Sequence, residues 1–396
     1  MKILLTHRYF WPDTAPYALM LRSIGEALAA AGHEVHIFAS RPSYRAGQTA
    51  PRRERLGALE VRRCRVLPEG RRNPVFRLLN VFIYCTALFF RVLRLRPDVV
   101  SASTFPPVVA AWSAGLAARL VGAKFVYHMM DIHPEVSKYS GGRLGRGLAF
   151  KLLRWLDNQT LRRAAAIVVL SKDMENTLKA RGLGVLPIHI INNFLLDDFD
   201  ESQAPPAEYR KQAGKFRVIF AGNLGRFQNL DLLTEGVARA FAEHPELELF
   251  LLGDGAALPG LKAKWGDHSR IKFAPFLPFS QARALIEEAD LGLVSLAPDI
   301  YRVAYPSKLL TYLGLGVPVL ALVEPDSELA QELVGNGLGV VPTSSAPQAV
   351  AEAVEHAISA GACHDSLMRW STEQGAKELV LAQWCAFFQG LAKEEK

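Results

Sequence analysis

A serine and a lysine stand together where a proline turn runs into an apolar segment, Pro306-Ser307-Lys308, within AYPSKLLTYLGLGVPVLAL from Ala304 to Leu322. A helix from Leu309 to Leu313 and a buried strand from Val317 to Leu322 would follow. Backbone N–H groups, the positive end of a helix dipole and an ammonium then point one way, which is anion-binding chemistry. Lys308, just ahead of the helix, is expected to be exposed, and the plain alternative is an ordinary loop with a solvated lysine. Three more turns belong to the same half of the chain. Gly222-Asn223-Leu224-Gly225-Arg226 follows a strand read at Phe216 to Ala221, and glycines at such a turn let backbone amides approach a phosphate. Leu252-Gly253-Asp254-Gly255 is the second, and Pro275 to Pro278, which includes Phe276, the third. None is GxGxxG, and no acidic residue ends a strand about 20 residues on, which argues against a nicotinamide site. With Pro306-Ser307-Lys308 at the same sheet edge, the three turns favour a nucleotide.

The elements that must hold these loops are those of an α/β chain. A strand Lys2 to Thr6, a helix from about Ala18 to Ala31 and a strand Glu34 to Ala39 make a βαβ unit, hence a parallel sheet with ligands at the strands' C-terminal ends. Strands at Asp98 to Ala102, Lys124 to His128 and Ala165 to Leu170 continue it. FLLDDFDESQAPPAE, from Phe194, reads as a linker. The pattern then restarts with Phe216 to Ala221, Leu247 to Leu252, Ile271 to Phe273, Leu291 to Leu296 and Gly339 to Val341, and ends in a helical tail from Ser366 to Leu391. At 396 residues the chain is too long for one core. The expected architecture is two Rossmann-like doubly wound domains facing each other across a cleft: 1–197, 198–365, and a tail 366–396 packing back on the first domain. Half the residues are hydrophobic and 21% are charged, an ordinary globular balance. Four scattered cysteines suggest neither a metal knot nor a disulfide framework, and the first residues lack the apolar core of a signal peptide; both fit the cytoplasm. The net charge of +7 raises phosphate ligands, anionic membrane and nucleic acid together.

Taken in order, RYFWPD after the first strand, Gly32-His33-Glu34-Val35, Asp131-Ile132-His133-Pro134-Glu135, Asn192-Asn193-Phe194, GNLGR, GDG and PSKLLTYLGLGVPVLA span nearly the whole chain. With them the chain resembles a retaining glycosyltransferase of the GT-B fold, in the family 4 group that includes bacterial surface-polysaccharide enzymes. The resemblance implies a nucleotide-sugar donor, a UDP- or GDP-sugar, on the C-terminal domain and a glycan or lipid-linked acceptor on the N-terminal one, with catalysis free of metal and cofactor. On that basis Gly222, Asn223, Gly225, Arg226, Gly253, Phe276, Pro306, Ser307, Lys308 and Thr311 would meet the donor, and Asp13, Thr14 and Glu135 the acceptor. Lys308 and, second, the amides of Gly222 to Gly225 would meet the charge growing on the leaving diphosphate. Asp131 or His133 would orient the acceptor hydroxyl or act as base, unless the donor phosphate takes the proton; the plain alternative makes Asp131 a helix cap. Many members carry two glutamates eight residues apart where this chain has Val303 and Thr311, and Arg and Lys where it has Asn223 and Gln228. A non-catalytic partner subunit and a nucleotide-sugar epimerase or phosphorylase of the same form therefore stay open. The lone histidines His7, His36, His128, His189 and His364, with Trp155, Trp384, Phe387 and Phe388, read as structural.

One segment stands apart. Twelve arginines lie between Arg52 and Arg96 against Glu54, Glu60 and Glu69, around the apolar run Leu78 to Phe90. No helix-turn-helix or RNA-binding signature accompanies them, so nucleic acid is not expected as a partner. Leu78 to Phe90 is too short to span a bilayer of roughly 20 helical residues. With arginine flanks it suits an interfacial helix on an anionic membrane, a peripheral site on the inner face of the cell membrane; a plain buried helix is the alternative.

Overall fold

The computed structural model describes residues 1–13, 15–42, 49–67, 74–139, 145–196, 204–225, 228–361, 364–373 and 375–393. The chain divides into two compact units. The first is Met1–Asn193 with Val303–Tyr305 and Glu378–Lys396; the second is Phe194–Arg302 with Pro306–Lys377. The boundary expected at 197/198 lies outside the described residues. The tail read from Ser366 divides: its stretch to Lys377 belongs to the second unit, and the rest, from Glu378, to the first.

In the first unit β1 (Lys2–Thr6), β2 (Glu34–Ser40), β3 (Arg53–Leu56), β4 (Leu59–Cys64), β5 (Val99–Ser103), β6 (Lys124–His128), β7 (Ala166–Val169) and β8 (Ile188–Ile190) form one sheet, ordered β3-β4-β2-β1-β5-β6-β7-β8. Every neighbouring pair is parallel except the hairpin β3–β4. β1, β5, β6 and β7 are short apolar runs buried on both faces, as crossover helices require. Because each crossover helix follows a parallel strand, it starts at the C-terminal edge of the sheet.

The helix Pro74–Leu95 is the largest departure from expectation. It has 22 residues, so it is about 33 Å long, where the sequence suggested a shorter interfacial piece. Asn80, Tyr84, Leu88 and Val92, four apart, form its buried stripe, and the last three join the unit's core. The Tyr84 hydroxyl meets Thr6 Oγ1 on β1 at 2.6 Å. Val75–Leu95 is long and apolar enough to cross a membrane by length and composition; its buried stripe packs in the protein interior, while most of its surface is not buried. Its first turns are different: Val75, Phe76, Leu78, Leu79 and Phe82 are all exposed. On the helix Gly147–Leu161, Leu148, Leu152 and Trp155 lie on one exposed stripe. Trp155, read from sequence as a core contact, is 56% exposed.

The second unit is a six-stranded parallel sheet: β9 (Phe216–Ala221), β10 (Leu247–Leu252), β11 (Ile271–Ala274), β12 (Leu291–Ser295), β13 (Val319–Leu322) and β14 (Gly339–Val340), ordered β11-β10-β9-β12-β13-β14. Arg217 on β9 is fully buried, yet its charge is met: Nε donates to Glu248 at 2.6 Å and Nη1 to the Tyr209 carbonyl at 2.7 Å. Nη2 stays without a hydrogen-bond partner among the described residues, but a buried ion paired with a carboxylate costs far less than a lone one.

Candidate active site

In the second unit the loops at the C-terminal ends of β9 and β10 interlock. Gly222 and Gly253 have φ of +122° and +139°, and a Cβ on Gly253 would collide with the Gly222 carbonyl oxygen. Only glycine fits both positions. The Leu224 N–H donates to Asp254 O at 2.9 Å and the Ala257 N–H to Leu224 O at 2.9 Å, so the two loops form one floor. Phe276, after β11, is half exposed.

Against this floor stands the helix Ser307–Gly314, which begins two residues earlier than the sequence suggested. Pro306 is its extended N-cap and Ser307 its exposed first residue. Lys308 is not exposed as expected, nor is it the solvated lysine of the plain alternative. Its stem lies against Gly222, where a Cβ would come within 2.9 Å of Cε, and its ammonium lies 4.6 Å from the centroid of the Phe220 ring. Burial lowers its pKa to about 8. No carboxylate pairs with it among the described residues. A desolvated ammonium without a counter-ion gains most when an anion arrives. Thr311, one turn on, spends its hydroxyl on the Ser307 carbonyl at 3.4 Å.

The amides expected to cradle phosphate are mostly spent within the chain. Gly222 N–H donates to Leu252 O at 2.8 Å, Leu224 N–H to Asp254 O, and Gly225 N–H to Gln228 Oε1 at 3.2 Å. Among the described residues of this loop, the Asn223 N–H alone has no partner. Arg226 lies outside the described residues.

In the first unit, the candidate acid/base residues follow β6. Ile132 N–H donates to the Val303 carbonyl at 2.7 Å, and Asp131 bridges Ala304 in the antiparallel sense. Val303, where the resemblance led us to expect a glutamate, is fully buried in this unit's apolar core. Burial raises Asp131 to about 6 and lowers His133 to about 4, so at neutral pH Asp131 is an anion and His133 a neutral imidazole. Glu135, expected to meet the acceptor, is buried and committed elsewhere: Arg181 takes both of its oxygens, at 3.1 and 2.7 Å. Asp13 is fully buried in the loop after β1, and Thr14 lies outside the described residues.

Two positioning residues escaped the sequence reading. Tyr312, buried, accepts the Ala221 N–H at 2.8 Å and so ties the end of β9 to the lysine's helix. Its spacing of four from Lys308 puts both on one helix face, a signal the sequence did carry. Arg181 donates to Asp157 at 2.5 Å, to Glu135 and to the His133 carbonyl at 3.2 Å, fixing the Asp131–His133 turn. No spacing rule points to it, because its partners come from distant segments.

Among the described residues no group of three or more His, Cys, Asp or Glu side chains gathers to hold a metal ion. Residues 17–193 match the model of the "Glycosyl transferase 4-like domain" and residues 215–360 that of "Glycosyl transferases group 1". WcaI of Escherichia coli (strain K12), whose name assigns it to colanic acid biosynthesis as a glycosyl transferase, is 25% identical over 350 residues, 84% of this chain and 85% of its own. WbjE of Pseudomonas aeruginosa, named as a glycosyltransferase, is 23% identical over 303 residues, 74% of each chain. The structure of HepE from Anabaena in complex with UDP superposes with a TM-score of 0.66 at 15% identity, over 98% of this chain and 100% of that one. With a glycosyl transferase 4-like domain in its first half and a glycosyl transferases group 1 domain in its second, the chain belongs to the family 4-like glycosyltransferases of GT-B fold.

Proposed function

We propose that this glycosyltransferase moves a sugar from a UDP- or GDP-sugar to a glycan or lipid-linked acceptor with retention of anomeric configuration, in the assembly of a cell-surface polysaccharide. The observation that carries the reading is Lys308: a partly desolvated ammonium, unpaired, beside the glycine floor of β9 and β10. UDP bound to HepE and the polysaccharide role in WcaI's name support the donor and pathway class.

As the anomeric carbon becomes oxocarbenium-like, negative charge grows on the departing nucleoside diphosphate. A fixed ammonium aimed at the phosphates is then worth more in the transition state than in the ground state. Lys308 and the Asn223 N–H supply that charge, with no metal or other cofactor. Asp131, ionised at neutral pH, accepts the acceptor hydroxyl's proton or aligns the hydroxyl while the donor phosphate takes it. Arg181 keeps the turn in place through Glu135 and the His133 carbonyl. The exposed apolar residues at the start of Pro74–Leu95 and on Gly147–Leu161 hold the enzyme peripherally on anionic membrane, where a lipid-linked acceptor lies.

A panel of nucleotide-sugars screened by thermal denaturation tests the donor, and the anomeric proton coupling of the product, read by NMR, tests retention. Stabilisation by one sugar-nucleotide and a product of unchanged anomeric configuration are expected; an inverted product contradicts the mechanism. Val303 favours a second reading, a non-catalytic partner subunit, because a core valine occupies an acid's place. Acceptor-dependent release of nucleoside diphosphate would exclude it.

A further inference from the structure

The arginine-rich hairpin was not absorbed by the transfer reaction. Arg53 on β3 lies directly opposite Arg62 on β4, and like charges in that position destabilise a sheet. Beside this pair a basin of about 450 Å³ opens, lined by Arg53, Arg55, Arg62 and, from the helix Pro74–Leu95, Arg91. That volume falls in the ~300–1,000 Å³ range of small-ligand sites. Two carboxylates line it too: Glu54 pairs with the buried Arg63, while Glu60, directly opposite Arg55, lies 3.2 Å from His36. None of the four arginines forms an ion pair among the described residues. Arg91 is half-buried, and its Nε is hidden from water with no hydrogen-bond partner. Burial, then the charges of Arg53, Arg52 and Arg94, pull Arg62 below the usual guanidinium range; burial and then Arg62 do the same to Arg91. Four arginines against two carboxylates, one of which is held by Arg63, leave the basin net positive, a socket for an anion.

We propose that the basin of Arg53, Arg55, Arg62 and Arg91 is a phosphate-binding site, separate from the donor site, that takes a phosphomonoester or diphosphate group. Guanidinium forks suit such a group because they donate in pairs to its oxygens. The group can come from a membrane lipid headgroup or from a free phosphorylated solute, and both meet the same four side chains.

Hydrogen–deuterium exchange of the full chain, with and without inorganic pyrophosphate at low salt, reads the site locally. Pyrophosphate should slow exchange in peptides covering residues 52–64. In R53Q/R62Q that protection should need roughly tenfold or more pyrophosphate, the loss of about one charge-assisted hydrogen bond. The double variant should melt no lower than wild type, since it relieves a like-charge pair. If it fails to fold, Arg53→Gln alone, on the exposed edge strand, serves instead. Flotation with phosphatidylcholine vesicles, with and without phosphatidylglycerol, separates the sources. If acidic vesicles retain wild type, lose the variant and release wild type to pyrophosphate, the group is a lipid headgroup. If vesicle binding does not depend on the basin while pyrophosphate protection does, the ligand is a free phosphate compound. Equal protection in wild type and variant, or none in either together with equal vesicle binding, overturns the site.

Discussion

At the scale of single residues the account turns on two groups shifted toward neutrality from opposite sides. Asp131 must be ionised and Lys308 protonated for transfer, so kcat/KM should rise through about pH 6 and fall through about pH 8. Asp131→Asn should abolish the acidic limb and depress transfer while leaving nucleotide affinity nearly unchanged. It should also raise Tm at pH 7. Asp131 keeps its proton to about 6 when folded but loses it near 3.8 when unfolded, so stability falls as pH rises between those values and the penalty is complete above them. Lys308 behaves in mirror image: its penalty is complete below about 8 and fades as pH rises toward 10.5. A flat pH profile, or a variant that melts lower than wild type, would show that Asp131 does neither job. Lys308 was legible because Pro306-Ser307-Lys308 is a compact signal. Arg181 was not, since Glu135, Asp157 and His133 converge on it only in the folded chain.

Among the elements, the strands that hold the loops were readable because they are short, mostly apolar runs bounded by polar or glycine-bearing turns; β1, β6, β9 and β10 match the sequence reading residue for residue. The hairpin β3–β4 was hidden, since RERL and LEVRRC alternate arginine and glutamate with few apolar side chains. The helix Pro74–Leu95 was underestimated because its exposed opening turns and its Arg77 break the apolar run without breaking the helix. Its exposed start also relocates the proposed membrane surface: Arg91 faces the hairpin basin, while Phe76, Phe82 and, on the helix Gly147–Leu161, Trp155 are exposed. Phe76→Asp with Phe82→Asp should therefore weaken flotation with acidic vesicles roughly 10²–10⁴-fold, at about 1.5–3 kcal/mol for each buried ring. Neither side chain belongs to the core, so Tm should not change. Wild type that fails to float at low salt would leave this surface without a membrane.

For the whole molecule, two parallel-sheet units and two matching family domains make the chain a glycosyltransferase. The sequence carried the restart of the strand pattern at Phe216, but not the path of Val303–Tyr305, which joins the first unit through backbone pairing with Asp131 and Ile132. No residue pattern encodes such a bridge, and the same is true of where the tail divides. The central claim is that the second unit holds a nucleoside diphosphate on Lys308. Calorimetric titration of the full chain with UDP and GDP, beside Lys308→Met, tests it most directly. Methionine keeps the apolar stem against Gly222 and Phe220 and removes only the ammonium, so the variant should melt no lower than wild type. Wild type should bind one of the two diphosphates, and the variant should bind it roughly 10²–10³-fold more weakly, the loss of one charge-assisted clamp. Equal affinity in both proteins, or no binding of either diphosphate to wild type, would contradict the account.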